Sequence, residues 1–278
     1  MKDSKDLPDL RMLPTLDLVA HEDCDPRRVE KLCSRIHREG CLKNPPIVAE
    51  VPGSDRYVVL DGANRMMAFV SLGIPHIVAQ LISYDYPGVA VDTWYHVVSG
   101  MRLEEFESAL KKVAGMSLKD CSLQEARRSL ENNESIAYIV CASGVRQVYS
   151  HDGDQPRNLQ VLNDIVGAYK GRADIYRASN DIWEKQIPYY PDITALMIFP
   201  RYKPQDILHA AQNGYKVPSG VTRHIIPQRA LNINIPLDVL NGDWSLKKKR
   251  EWLDDWMMER MAANAIRYYA ESTFSFNE

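Results

Sequence analysis

The 278-residue chain has no excess of basic residues: 34 Lys and Arg stand against 37 Asp and Glu, a net charge of −3. Proteins that live on a nucleic-acid backbone carry clustered positive charge, so nucleic acid is disfavoured as a partner. No apolar run approaches the roughly 20 residues of a membrane-spanning helix, and no basic start leading into an apolar core opens the sequence. These absences predict no membrane partner and a place in the cytoplasm. The five cysteines, Cys24, Cys33, Cys41, Cys121 and Cys141, include no C-x-x-C pair, which argues against a disulfide frame and against a structural zinc site. Internal repeats and low-complexity tracts are also lacking.

What is present is an ordinary globular composition, 45% hydrophobic and 26% charged, with enough chain for two modest domains. Beyond a charged start expected to fray, residues 13–22 read as a short strand entering a loop. Asp25-Pro26 supplies an N-cap and a first-turn proline. Val29, Leu32, Cys33 and Ile36 follow at helical spacing, and Gly40 closes the helix. PPIVAEV, a Pro-Gly-Ser-Asp turn and YVVL predict a hairpin. A helix over 64–72 stops at Gly73, and HIVAQLI (76–82) predicts another strand. VDTWYHVVSG (91–100) reads as a linking segment.

After it, helices are expected near 103–113, 123–132, 159–170 and within KPQDILHAAQNG, with strands at AYIVC and ITALMIF (193–199). VPSGVTRHIIP is rich in turn formers yet carries Arg223 and His224. Residues 245–271 form a long helix candidate, with Leu253, Met257, Met261 and Ala265 recurring at i+4 beside Trp252 and Trp256. Its KKKR run (247–250) reads as a solvated helix end, and its aromatic stripe as core or as a homodimer interface. The fold class expected is α+β, with domains at 1–98 and 99–278, the second mixed α/β and ending in the helical tail.

One stretch carries chemistry. In YVVLDGANRMMAF (57–69) a buried strand ends on Asp61-Gly62 and passes directly into a helix with Arg65 in its first turn. A helix N-terminus presents unpaired N–H groups and the positive end of its dipole, which suits an anion. Gly62 lets backbone approach closely, and Arg65 can place two donors on phosphate oxygens. Asp61 alone is as readily a helix cap as a ligand for Mg²⁺.

In context, YVVLDGANRMMAFVSLGI preceded by a helix and PPIVAEV resembles the D-G-x-H-R segment of the ParB/sulfiredoxin-like superfamily, over roughly residues 13–82. A sulfiredoxin needs a cysteine in this turn, where Ala63 and Asn64 stand. A ParB-type DNA-binding regulator, the alternative function, needs a helix-turn-helix and a basic surface. The free L-serine kinase branch matches further landmarks in order: LVAHE ending in Glu22, DGANR, DTWYHVVSG with Trp94, and VPSGVTRHIIPQRALNINIPLDVL. The tail resembles that of the siderophore-linked bacterial members that use ATP.

This resemblance implies a phosphotransferase making O-phospho-L-serine from free L-serine, with ATP or ADP as donor and Mg²⁺ as cofactor. It assigns Glu22 as general base with Asp61 assisting. Lys43, Asp61, Gly62, Ala63, Asn64 and Arg65 are implied for the nucleotide, Asp61 for the metal, and Trp94, Thr222, Arg223 and His224 for serine. Asn64 departs from the family's usual histidine; it can donate to phosphate but carries neither charge nor a transferable proton.

Overall fold

The computed structural model describes residues 7–151 and 153–269. By their internal contacts these fall into two compact units: residues 7–20, 24–89 and 226–269 form the first, and 21–23 with the described residues of 90–225 the second. The division differs from a single break at 98/99. The second stretch ends at 225, and the chain then returns to the first unit.

In the first unit, β1 (Asp9–Pro14) and a 3-10 turn lead to β2 (Leu18–Ala20) and α1 (Pro26–Glu39). Asp25 caps α1 by accepting from the Arg27 N–H at 3.0 Å, and Gly40 ends it at φ 64°, as the sequence predicts. Next come β3 (Cys41–Leu42), the hairpin β4 (Ile47–Glu50) and β5 (Tyr57–Asp61), then α2 (Ala63–Ser71) and β6 (His76–Leu81). The sheet order is β1-β6-β4-β5-β2. The β4–β6 and β2–β5 pairs are parallel and the others antiparallel. Val48, Val59, Phe69, Ile77 and Val78 are all but inaccessible to water and form its core with the helices.

The second unit begins with β7 (Ala90–Thr93) and β8 (Tyr95–Ser99), so the expected linker is sheet. The run was hard to read because His96 and Ser99 interrupt its apolar residues. Both are buried and satisfied: the Ser99 hydroxyl donates to the Asp192 carbonyl at 3.0 Å, and His96 Nδ1 meets the Tyr169 hydroxyl at 2.8 Å. Then follow α3 (Leu103–Leu110), β9 (Met116–Cys121), α4 (Leu123–Glu131), β10 (Ala137–Cys141) and β11 (Gly144–Ser150). α5 (Gln155–Tyr169) starts four residues before its expected position because Asp154 caps it, accepting from the Arg157 N–H. β12 (Asp174–Ala178), the short α6 (Trp183–Gln186), β13 (Ile193–Ile198), α7 (Pro204–Gln212) and β14 (Thr222–Ile225) complete it. The six-stranded sheet is antiparallel in order β12-β8-β13-β10-β11-β9, and β14 pairs with β7 beside it.

Back in the first unit, β15 (Ile235–Pro236) pairs with β3, and α8 (Leu237–Asn241) leads into α9 (Leu246–Ala262). Of the expected tail helix, residues 263–269 lie beyond α9, and 270–271 lie outside the described residues, as do 1–6 of the charged start. α9 belongs to the first unit because it closes over β1: Leu253 joins that core and Arg250 Nε donates to the Met12 carbonyl at 3.2 Å. The KKKR run is therefore not wholly solvated. Lys249 is fully buried, its ammonium 2.7 Å from the Leu240 carbonyl and 3.0 Å from His76 Nδ1. Two polar acceptors inside the fold replace the water it gives up. Among the described residues, no helix is long and apolar enough to cross a membrane.

Leu253→Ala removes a side chain that is 2% exposed and should lower the unfolding free energy in urea by about 2–4 kcal/mol. Met258→Ala, at a position 61% exposed, should stay within ~0.5 kcal/mol of the parent. Equal effects would mean that α9 does not seal the first sheet.

Candidate functional site

The candidate residues fall in both units. In the second, Glu22 forms a single parallel bridge with Val217, as the His21 carbonyl accepts from the Val217 N–H at 2.8 Å. Its carboxylate then meets the chain entering β14. The Gly220 N–H donates to Oε2 at 2.7 Å and the Thr222 N–H to Oε1 at 2.8 Å. The Thr222 hydroxyl donates to the same Oε1 in a very short contact. A hydroxyl has one proton, so toward His21 Nε2, 2.8 Å away, Thr222 acts as acceptor and His21 donates. The His21 ring meets His224 edge-on, centroids 5.2 Å apart. Glu22 Oε2 carries one of these bonds against two on Oε1, so it retains capacity to accept a proton.

Beside it, the Arg223 guanidinium lies 4.4 Å from the centroid of the Trp94 ring, and NH1 is 3.8 Å from Asp92. The β14–β7 register explains the grouping, since Thr222 faces Thr93, Arg223 faces Asp92, and the Trp94 N–H bonds to the Val221 carbonyl. Stacking fixes the plane of a guanidinium and so its fork of donors.

Under this loop sits His96. A Cβ on Gly220, where φ is 79°, would stand 3.3 Å from Arg177 and 3.6 Å from His96 Nε2. Burial pulls the His96 imidazole down to a pKa of about 4, helped by Arg177 and opposed by backbone hydrogen bonds to Ser219 and Gly220. His96 is thus neutral at pH 7 and supports the backbone that holds Glu22.

In the first unit, Asp61 ends β5 and Gly62 takes φ 89° before α2. Glycine is required twice here. The φ is left-handed, and a Cβ would lie 2.8 Å from Arg65 NH1 and 3.1 Å from Pro46 Cα. Arg65 folds back across the turn and donates to the Pro45 carbonyl at 3.1 Å. Asn64 Oδ1 accepts from the Asp25 N–H at 2.8 Å, joining the starts of α1 and α2. Asp61 Oδ2 lies 2.7 Å from Arg229 NH1. Lys43 is half-buried on the adjoining segment, where its carbonyl accepts from the Asn234 N–H at 3.4 Å. Among the described residues, no group of three or more His, Cys, Asp or Glu could hold a metal by itself.

A scan against protein-family models finds no match. An ATP-dependent L-serine kinase of Staphylothermus marinus is 27% identical over 80% of this chain and 88% of its own. ATP-dependent L-serine kinase SbnI of Staphylococcus aureus is 25% identical over 95% and 96%. Over most of its length the chain is similar to proteins named L-serine kinases. The fold agrees: C-terminally truncated SbnI superposes with a TM-score of 0.73 at 23% identity, covering 91% of this chain and 97% of that one.

Against that kinship, the expected residues fall into groups. Glu22, Thr222, Arg223, His224 and Trp94 come together in the second unit, and Asp61 to Arg65 in the first. Thr222 holds Glu22, and His224 packs on His21 with 7% of its surface exposed. The sequence reading missed His21, His96 and Arg229. The pairing of His21 with the Thr222 hydroxyl and of His96 with the buried Tyr169 hydroxyl joins residues far apart in the chain and has no sequence signal. Arg229 lies inside VPSGVTRHIIPQRALNINIPLDVL, six residues after Arg223, and that second arginine is its signal in the sequence.

Because His96 favours its neutral form in the folded chain, its contribution is complete above the unfolded pKa of 6.5 and is lost as pH falls toward 4. The folded chain should lose about 3 kcal/mol from this group across that window. Urea unfolding followed at pH 7 and pH 4.5 should show a smaller difference for His96→Gln than for the parent. An identical pH dependence would remove His96 from this account.

Proposed function

We propose that the chain is a kinase that moves the terminal phosphoryl group of ATP onto the hydroxyl of free L-serine, giving O-phospho-L-serine and ADP. The observation that carries the reading is the fixed carboxylate of Glu22, held by the Gly220 N–H, the Thr222 N–H and the Thr222 hydroxyl. Glu22 is also the residue that the resemblance aligns with the family's base. The kinship with L-serine kinases supports the substrate.

In the reaction the serine O–H bond breaks, an O–P bond forms, and the bond from the γ-phosphorus to the leaving oxygen of ADP breaks. Glu22 takes the hydroxyl proton at Oε2. Phosphoryl transfer otherwise asks for positioning and charge neutralisation. The turn at 62–65 supplies first-turn N–H groups of α2 and the Arg65 guanidinium for the phosphates, with Lys43 beside it. Arg223, its plane set by Trp94, takes the serine carboxylate. Thr222 and His224 act through Glu22 and His21.

A single carboxylate suits Mg²⁺, which takes one or two protein ligands and completes its shell with phosphate oxygens and water. Asp61 is the residue that would hold it, since a carboxylate can serve a guanidinium and a metal together. The ion would supply charge neutralisation on the phosphates. In this reading the first unit is the ParB/sulfiredoxin-like nucleotide-binding domain and the second binds the amino acid.

With Mg²⁺, purified protein mixed with L-serine and ATP should give a phosphoserine signal in phosphorus NMR; ADP in place of ATP tests the other donor. Neither donor giving phosphoserine would sink the assignment. Glu22→Gln keeps the size and loses the base, so turnover should fall by roughly 10²–10⁴ with nucleotide affinity nearly unchanged. Full turnover in that variant would return Glu22 to a structural role.

A further inference from the structure

Residues 226–234 return to the first unit and pass the phosphate turn, and their backbone is held with unusual care. Gln80 on β6 is 2% exposed, and both ends of its side-chain amide are used on this segment. Nε2 donates to the Gln228 carbonyl at 3.0 Å, and Oε1 accepts from the Ala230 N–H at 2.9 Å. The two bonds bracket Arg229. Gln228 takes a left-handed φ of 55°, which costs a non-glycine residue about 1 kcal/mol or more. The Tyr86 hydroxyl reaches the Gln228 side chain at 3.2 Å, and Asn44 Oδ1 accepts from the Asn232 N–H at 2.8 Å.

What this frame presents is the Arg229 guanidinium, 35% exposed, against the half-exposed Asp61 at 2.7 Å. An ion pair this open contributes only roughly 0–1 kcal/mol, so stability alone gives little reason for the pairing. The pair also stands at the first residue of the D-G-x-x-R turn. Arg65, folded over Gly62 toward the Pro45 carbonyl, and Arg229, paired with Asp61, bring two guanidinium charges to the one turn in a chain of net charge −3.

We propose that Arg229 is a phosphate-binding residue of this turn, positioned by the Gln80 clamp and by Asp61 so that its charge bears on the β- and γ-phosphates of the nucleotide. The inference rests on the nucleotide-binding half of the proposed function. Asp61 orients the guanidinium, and Arg229 cancels a carboxylate that would otherwise repel the phosphates. Arg65 lies inside α2 and serves the phosphate nearest the helix start. Arg229 comes from a separate segment and adds the charge that a longer phosphate chain requires.

The role predicts dependence on phosphate number. Affinities of AMP, ADP and ATP are measured by calorimetry without Mg²⁺, for the parent, Arg229→Ala and Arg229→Lys. Arg229→Ala should weaken ATP and ADP about tenfold or more and AMP less than threefold. Arg229→Lys, which keeps the charge, should recover most of the loss. A purely structural role would weaken all three ligands alike and would not follow charge. Equal losses, or no loss, would overturn the proposal. If Arg229→Ala does not fold by circular dichroism, Arg229→Gln, which can still bond to Asp61, takes its place with the same expected ladder. A parent that binds ATP but makes no phosphoserine loses the serine-kinase reading and leaves the Arg229 assignment to be judged by the ladder alone.

Discussion

The grip of Gly220 and Thr222 on the Glu22 carboxylate joins residues about 200 positions apart, and the candidate chemistry depends on it. A half-buried carboxylate is stable only where donors replace the water it has lost. Here two of the three donors are backbone N–H groups, so the carboxylate's place is set by the course of the chain. That course is in turn set by Gly220, whose left-handed backbone lies against Arg177 and His96 with little room for a side chain. His96 is kept neutral by burial, which spares the loop an uncompensated charge below it. Carboxylate, loop and buried imidazole form one support, and altering any member shifts the others.

The two units solve opposite electrostatic problems. In the proposed function the second must hold a carboxylate ready for a proton, and the donors on Glu22 are two backbone N–H groups and the Thr222 hydroxyl, with the His21 ring nearby. The first, in the same proposal, must hold a polyanion, and it gathers guanidinium groups and helix N–H groups about a turn stripped of side-chain bulk at Gly62. A chain with slight negative net charge can do both because the effect is local. At physiological ionic strength, charges more than roughly 8 Å apart in solvent are largely screened, so the composition of the whole says little about either site.

The local signals were legible in the sequence. Asp25-Pro26 and Gly40 bound α1 because caps and left-handed stops act within a turn or two. The strand–Asp–Gly–helix turn was legible for the same reason: it is built from consecutive residues. β8 was not, because a central strand buried on both faces loses its alternation, and its histidine and serine found partners far along the chain. Lys249 was misread because burial of an ammonium requires a carbonyl and an imidazole from other elements, which no run of lysines reveals. The expected placement of the tail failed with it: the apolar stripe was visible, but nothing in it names β1 as its partner.

Arg229 marks the deeper limit. In the sequence it is one arginine in a segment of turn formers, and its meaning comes from three distant residues: Gln80 fixes its backbone, Asp61 its side chain, and Tyr86 the residue before it. A left-handed glutamine is tolerated only because these contacts overdetermine it. The same return of the chain buries Ile233, Ile235 and Leu240 in the first core, where apolar burial at ~25 cal/mol per Å² offsets the local strain. Packing and site are therefore not separable here. The apolar residues of 226–240 bring the segment home, and that docking carries a guanidinium to Asp61, 168 residues earlier in the chain.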